Sequence, residues 1–357
     1  MGKYNWLYQI RGMAIIAVVV CHQQGLLHSS EWIQLLTLYS VTIFIFCAGV
    51  TQAFSLKKLN SSFITNERYS FSEYIINRLK PIILSYIVVT IAYLSQRNMW
   101  TGLEWDMLFN ALLTFSASPP LYFLRYFIVL ICVAPILFAF VNIILKKNSS
   151  GVVTNLKIII LLILTFLIGY YSIGKLDSLG QSYLFVYTAG IIFGSLPFPK
   201  VKNVQLPFII TTLMFGLWST KEFYWARVAG NFNYAEGIDS LVPKLQMNPP
   251  NLSIIIYSAG CFFLFYWCFK KVEIHQDRIP VFVLYPFKAL TLMGKYSLDI
   301  FLWHLFVQTF LTSFEINLLP NIWVKRIVYY SAMFFIPVIF RILYEKLKNY
   351  IYDNYKK

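Results

Sequence analysis

Charge is scarce in this 357-residue chain: Asp, Glu, Lys and Arg make up 13% of it, against 58% hydrophobic residues. Soluble domains carry about twice that charged share, so a water-soluble globular enzyme is excluded. A disordered chain is excluded too, because disorder needs a polar composition. Acidic residues are rarer still, 15 against 30 Lys and Arg. Only five cysteines occur (Cys21, Cys47, Cys132, Cys261 and Cys268), each within an apolar run and without metal-ligand spacing. They read as small buried hydrophobes, so neither a disulfide scaffold nor a metal is expected. What the chain has in excess is aromatic and aliphatic surface: 32 Phe, 25 Tyr and 9 Trp, with a mean hydropathy of +0.63. That composition needs a bilayer as solvent, with Tyr and Trp at its two interfaces.

Apolar stretches able to cross a hydrocarbon core of ~30 Å occur at 10–27, 38–55, 81–96, 120–145, 156–173, 182–198, 204–220, 251–269, 296–312 and 323–344. None shows the alternation of a barrel strand, and backbone groups in lipid must be satisfied within the segment, so helices are expected. The predicted fold is all-α: a polytopic membrane protein of about ten transmembrane helices. With the N-terminus inside, 22 of the 30 Lys and Arg fall on the cytoplasmic side. Both termini are therefore expected in the cytoplasm. Orientation thus accounts for the basic excess, and nucleic acid is not an expected partner. The first stretch lacks a small-residue cleavage site and is followed by nine more, so it reads as a retained helix rather than a signal peptide. The longest segments outside the membrane, about 56–80 and 221–250, are too short to bury a core of their own. Leu108–Phe115 is too short to cross and is expected on, or dipping into, the outer face. A single domain, 1–357, follows.

Ionisable groups inside spans are costly and are functional candidates by default. Arg11, His22, Asp299 and His304 stand out, with Arg125 at the outer mouth of the fourth stretch. Arg11 and His22 are eleven residues apart, which returns them to nearly one helix face with a separation of ~16 Å. A cation at the cytoplasmic boundary and an imidazole about halfway up would match the reach of an extended pantetheine arm. The alternative is an arginine that snorkels to the interface and a histidine satisfied within the core. His304 lies nine residues beyond Lys295, a rise of ~13 Å, so two histidines are expected at similar depth on two helices. Asp299 either orients an imidazole or pairs with Lys295 at i,i+4.

The segment IRGMAIIAVVVCHQ (10–23) resembles the opening signature of the acyltransferase-3 family of membrane acyltransferases, an Arg followed by ten residues and a His. FIFCAGVTQAFS (44–55) resembles that family's Phe-Phe-x-x-Ser-Gly-Phe helix, and SEYIINRLKPIILSY (72–86) its basic start to the third helix. LYFLRYFIVLICVAPIL (121–137) resembles its Leu-Trp-Phe-Leu helix ending in Pro. MGKYSLDIFLWHLF (293–306) resembles its late Gly-x-x-Ser-Leu-x-Ile-Tyr-Leu-x-His segment. These blocks stand in the family's order and cover roughly a fifth of the chain. The sequence departs from the pattern at Pro81, where a second arginine is usual, leaving Lys80 as the nearest cation. It departs again at Ala48 for Ser and at Tyr122 for Trp. Lys is a point charge without the bidentate fork of Arg.

The resemblance implies transfer of an acyl group, most often acetyl from acetyl-CoA, to a hydroxyl of a cell-surface or lipid-linked carbohydrate at a bacterial cytoplasmic membrane. Arg11 and His22 match the family's essential pair, Arg78 the first arginine of its Arg-x-x-Arg motif, and His304 its late histidine. The expected site therefore has acyl-CoA phosphates meeting Arg11, Arg78, Lys80 and Lys295. His22 acts as general base or transient acyl carrier, with His304 and Asp299 in support. Burial favours the neutral imidazole that either route needs. The carbohydrate is expected from outside, near Tyr122, Arg125 and Tyr126 and the 221–250 segment with Phe223, Tyr224, Trp225, Asn231, Asn233, Tyr234 and Glu236. An ordinary aromatic belt is the alternative for that segment. No appended soluble esterase-like domain is expected. A polysaccharide or lipid-linked sugar exporter also fits ten helices with ionisable groups at mid-depth, but no inverted repeat is visible. The glycan, the size of the acyl group and the oligomeric state, including a homo-oligomer, are left open.

Overall fold

The computed structural model describes residues 5–63, 71–97, 104–145, 151–172, 182–199, 205–231, 236–242, 249–313 and 321–355. Among them are thirteen α-helices and no strand: α1 Asn5–Cys21, α2 Glu31–Thr37, α3 Ser40–Phe63, α4 Phe71–Arg97, α5 Trp105–Thr114, α6 Tyr122–Leu145, α7 Gly151–Tyr171, α8 Ser182–Ser195, α9 Leu206–Val228, α10 Leu252–Ile274, α11 Val281–Lys295, α12 Ser297–Ser313 and α13 Ile322–Tyr355. Each of the ten predicted stretches overlaps one of these helices. Six spans among the described residues have both the length and the hydropathy to cross a bilayer: Glu31–Leu59, Glu73–Arg97, Pro119–Leu145, Gly151–Tyr171, Leu252–Ile274 and Ile322–Tyr350. Helices α1 and α8 are apolar but shorter.

Three helices go beyond the predicted stretches. The short α2 follows the first loop, α5 (Trp105–Thr114) takes in most of the Leu108–Phe115 stretch expected to be too short to cross but starts three residues earlier, and α11 carries Pro286 and Lys288 within an apolar run. The first helix also ends six residues before the predicted boundary. Its ladder carries through to His22, whose N–H bonds Val18 O at 3.2 Å, and then tightens as Gln23 N bonds Val20 O at 3.1 Å. Gly25 follows at φ +82, a left-handed conformation open to glycine at little cost, and Gly25 N closes the turn on His28 O at 2.8 Å.

The chain divides into two compact units. The first comprises Met1–Thr37, Tyr86–Leu121 and Val272–Lys357. Helix α1 is apolar apart from its first turns, where Gln9 and Arg11 stand, and its Trp6, Ile10, Ala14, Ile15 and Val19 are fully buried. It runs antiparallel to α11: Tyr8 faces Gly294, and Gly12 faces Leu290. The approach is backbone to backbone. A Cβ on Gly294 would lie 1.7 Å from Tyr8 O, and one on Gly12 would lie 2.3 Å from Leu290 O. Membrane helices use small residues for such contacts because dispersion, not water exclusion, holds them.

The second unit comprises Leu38–Ser85 and Tyr122–Lys271. Its centre is the crossing of α3 and α8, where Gly49 meets Tyr187 O and Gly190 meets Phe46 O at 2.3 and 2.2 Å from an added Cβ. The Gly of the FIFCAG block is thus a packing residue. Lys57 Nζ donates to Gly194 O and Ser195 O at 3.1 and 2.7 Å, placing a cation on the last carbonyls of α8. Helix α7 buries only Thr165 and Gly169 and exposes Leu156, Ile159, Ile160, Ile163 and Ile168, an apolar exterior suited to lipid. At the N-terminus of α10, Asp239 accepts from Ser253 N (3.0 Å), Ser253 Oγ (2.7 Å) and Asn251 Nδ2 (3.1 Å). Asn251 Oδ1 caps Ile254 N at 3.0 Å.

Candidate functional site in the first unit

Helices α1 and α12 meet through three polar contacts in the same chain direction. Arg11 Nη2 donates to Ser297 Oγ at 2.8 Å. The rings of His22 and His304 lie with centroids 5.3 Å apart and planes tilted by 41°. Gln23 Nε2 donates to Gln308 Oε1 at 2.9 Å. Because the residue numbers rise together on both helices, α12 runs parallel to α1 and matches its polar groups in order. Three features of the GKYSLDIFLWH block therefore face α1: Gly294 admits its backbone, Ser297 holds its arginine and His304 meets its histidine.

The two imidazoles differ. His22, first residue past α1, is exposed, whereas His304 has no exposed surface. His304 Nδ1 lies 2.8 Å from Phe301 O and 3.2 Å from Ile300 O. Carbonyls only accept, so Nδ1 carries hydrogen, and in the neutral ring Nε2 holds the lone pair. That Nε2 is buried and has no hydrogen-bond partner among the described residues. The loop bearing His22 is fastened on its far side. Arg326 Nε donates to Leu27 O at 2.7 Å, and His28 Nε2 lies 3.0 Å from Val20 O.

The other predicted residues are distributed as follows. Asp299 is half-buried in the first turn of α12, within electrostatic range of Arg341 and Glu345 of α13. Five residues place it roughly 140° around the helix from His304. Among the described residues it bonds neither that ring nor Lys295, whose Nζ donates instead to Tyr296 Oη at 2.9 Å. In the second unit, Arg78 donates to Ser55 Oγ and lies 6.0 Å from the Tyr74 ring centroid, while Tyr74 donates to Gln52. Lys80 is exposed two residues on. Tyr122 packs edge-on to Tyr126 at 6.1 Å, and Tyr126 reaches Tyr183 at 5.7 Å, beside an exposed Arg125. In the 221–250 segment Phe223 and Tyr224 are 2% and 3% exposed, so they belong to the packing rather than to an open aromatic face. Trp225 is half-exposed and Asn231 and Glu236 are exposed. Asn233 and Tyr234 lie outside the described residues.

Sequence reasoning missed Ser297, Gln23 and Gln308 as site residues, although the first two stand inside the quoted blocks. Their signal is positional, since each acquires meaning only when α12 is laid beside α1.

Chemically, a guanidinium fixed near the middle of α1 can hold an anion, and an accessible imidazole backed by a buried one can take a proton. No curated protein and no solved structure matches the chain. Residues 4–344 match the acyltransferase domain of the acyltransferase-3 family, and over nearly its whole length the chain belongs to that family of membrane acyltransferases.

Proposed function

We propose that this membrane acyltransferase moves an acyl group, most often acetyl, from cytoplasmic acyl-CoA to a hydroxyl of a cell-surface or lipid-linked carbohydrate. It does so as one catalytic domain with about ten spans, both termini cytoplasmic, in a bacterial cytoplasmic membrane. The observation that carries this reading is the matched pairing of Arg11 with Ser297 and His22 with His304. An anion-holding group and a base are thereby set ~16 Å apart along one helix. A phosphate held at Arg11 leaves the thioester of an extended pantetheine arm near His22.

In this reading His22 takes the proton of the acceptor hydroxyl while that oxygen attacks the thioester carbonyl. The carbon–sulfur bond breaks, and the imidazolium returns the proton to the departing thiolate. His304, with Nδ1–H held by backbone carbonyls, offers its Nε2 lone pair to a His22 N–H after a small ring rotation. That contact would set the tautomer in which His22 presents its other nitrogen to the acceptor. Arg78, Lys80 and Lys295 supply further cations for the CoA phosphates. Arg125 with Tyr122 and Tyr126, and Trp225 with Glu236, are the surfaces assigned to the carbohydrate.

The test is transfer of radiolabelled acetyl from acetyl-CoA to a candidate glycan by reconstituted protein. Loss of the base should lower kcat by about 10²- to 10⁴-fold in His22→Ala, and Arg11→Ala should weaken donor binding. Undiminished transfer by His22→Ala would refute the assignment. Glycan movement without any acyl-CoA would instead mark an exporter.

A further inference from the structure

Helix α4 reaches into the backbone of α12 at the turn that carries His304. Tyr93, 8% exposed, donates its hydroxyl to Leu302 O at 3.2 Å and accepts Phe306 N–H at 2.9 Å. In an uninterrupted helix those two backbone groups bond each other, being four residues apart. A phenol has one donor and free acceptor lone pairs, which suits it to bridge such a pair. Its ring stands edge-on to Phe306, with centroids 5.8 Å apart at 88°. One turn on, Gln96 Nε2 lies 3.4 Å from Phe306 O. Side chains inserted into the i→i−4 ladder are a recognised cause of local helix opening. His304 sits midway between Leu302 and Phe306, with Nδ1 anchored one turn back on Phe301 O and Ile300 O.

We propose that Tyr93 is a positioning residue for His304: its hydroxyl props the Leu302–Phe306 turn and thereby sets the angle at which the buried imidazole meets His22. The proposal deepens the acyl-transfer reading and rests on it for its kinetic consequence, but not for its structural one. Packing of the ring alone is the competing account. Tyr93→Phe separates the two, since it keeps the ring and removes the bridge. Phe306 N–H then has only Leu302 O, four residues back, as its acceptor, and the buried Ser118 hydroxyl loses its Tyr93 partner; the turn tightens and His304 rotates.

The experiment uses full-length Tyr93→Phe and wild-type protein in lipid vesicles, with ¹⁵N-labelled histidine observed by solid-state NMR. Acetyl transfer and thermal unfolding are measured in parallel. The expected result is displaced His304 Nδ1 and Nε2 resonances and an unfolding temperature close to that of wild type. Turnover should fall about 10- to 100-fold, the scale of a misplaced catalytic group, with the KM for acetyl-CoA unchanged. Resonances identical to wild type, or displaced resonances with unaltered kcat, would overturn the proposal. If wild type transfers nothing from acyl-CoA, the functional reading falls, and the resonances alone decide whether Tyr93 sets the His304 ring.

Discussion

Gly294→Ala is the substitution that most directly tests the coupling of the α1 backbone to the proposed chemistry. A Cβ at this position would stand 1.7 Å from Tyr8 O, 2.6 Å from Tyr8 C and 3.0 Å from Gly12 N. All three are backbone atoms of α1, so no side-chain rotation relieves the overlap. Real Cβ atoms essentially never come closer than 3.0 Å to such neighbours, so α1 and α11 have to part by roughly 1.3 Å or more. Overpacking of this kind costs about 1–3 kcal/mol of stability, which leaves a domain of this size largely folded. Displacing a reacting group by about 1 Å costs on the order of 100-fold in rate, and α1 carries both Arg11 and His22. The expected result is therefore a modest fall in unfolding temperature with kcat/KM for acetyl-CoA down about 100-fold. Gly12→Ala, whose Cβ would meet Leu290 O at 2.3 Å, should show the same pattern more mildly. Reconstituted transfer kinetics beside differential scanning fluorimetry separate the two effects. If Gly294→Ala retained wild-type kinetics and stability, the close approach of these helices would not be what holds the site, and the reasoning would fail.

Two further predictions concern charge. Arg11→Lys keeps the cation but loses the planar fork that reaches Ser297 and a phosphate together. Donor KM should rise about tenfold, equivalent to ~1.4 kcal/mol, with unfolding temperature unchanged; Ser297→Ala should raise it in the same direction. Equal KM values in kinetics with varied acetyl-CoA, or a variant that is simply unfolded, would defeat this. Outside the spanning helices, burial pushes the Asp239 carboxyl above the usual carboxylate range, and the bonds from Ser253 only partly offset it. Because the folded pKa exceeds the unfolded one, this group's contribution to stability is full below the unfolded pKa and fades as pH rises through the folded one. Unfolding temperature should therefore gain on mild acidification, and Asp239→Asn should lack that part of the slope. Identical slopes in the two proteins would show that this carboxyl is not the source.

How far the sequence reaches into this structure depends on the range of the interaction that fixes each feature. Hydropathy and length act within a segment, and each predicted apolar stretch does lie on a helix. The end of α1 was also written locally, in the polar His-Gln-Gln-Gly run, but an apolar average extending to Leu27 hides it; Leu27 is buried although it lies in the turn past the helix end, where its N–H bonds Gln23 O. Helix α11 escapes hydropathy because Pro286 and Lys288 interrupt it, yet Phe287 O and Leu290 O are what α1 leans on. The Asp299–Lys295 pairing at i,i+4 was a local inference, and it lost to contacts the sequence cannot rank: Tyr296 for the lysine and the Arg341–Glu345 side of α13 for the carboxylate.

The site itself is the longest-range feature of all. Arg11 and Ser297 are 286 positions apart, and Gln23 and Gln308 are 285. Both separations are nearly equal because the two helices run side by side in one direction, and that parallel alignment is what converts two spaced motifs into one site. Eleven residues from Arg11 to His22 advance ~16 Å on α1, whereas seven from Ser297 to His304 advance only ~10 Å on α12. The arginine makes up part of the difference by reaching along the helix to the serine, while the histidines, with short side chains, have to meet nearly level. A lysine at 11 could span a similar length but would bring one point of charge rather than a fork, and a shift of α12 by one turn would break the Arg11–Ser297, His22–His304 and Gln23–Gln308 contacts together. The spacing of each motif is therefore meaningful only against the other, and the glycines at 12 and 294 that let α1 settle onto α11 are as much a part of the site as the histidines it presents.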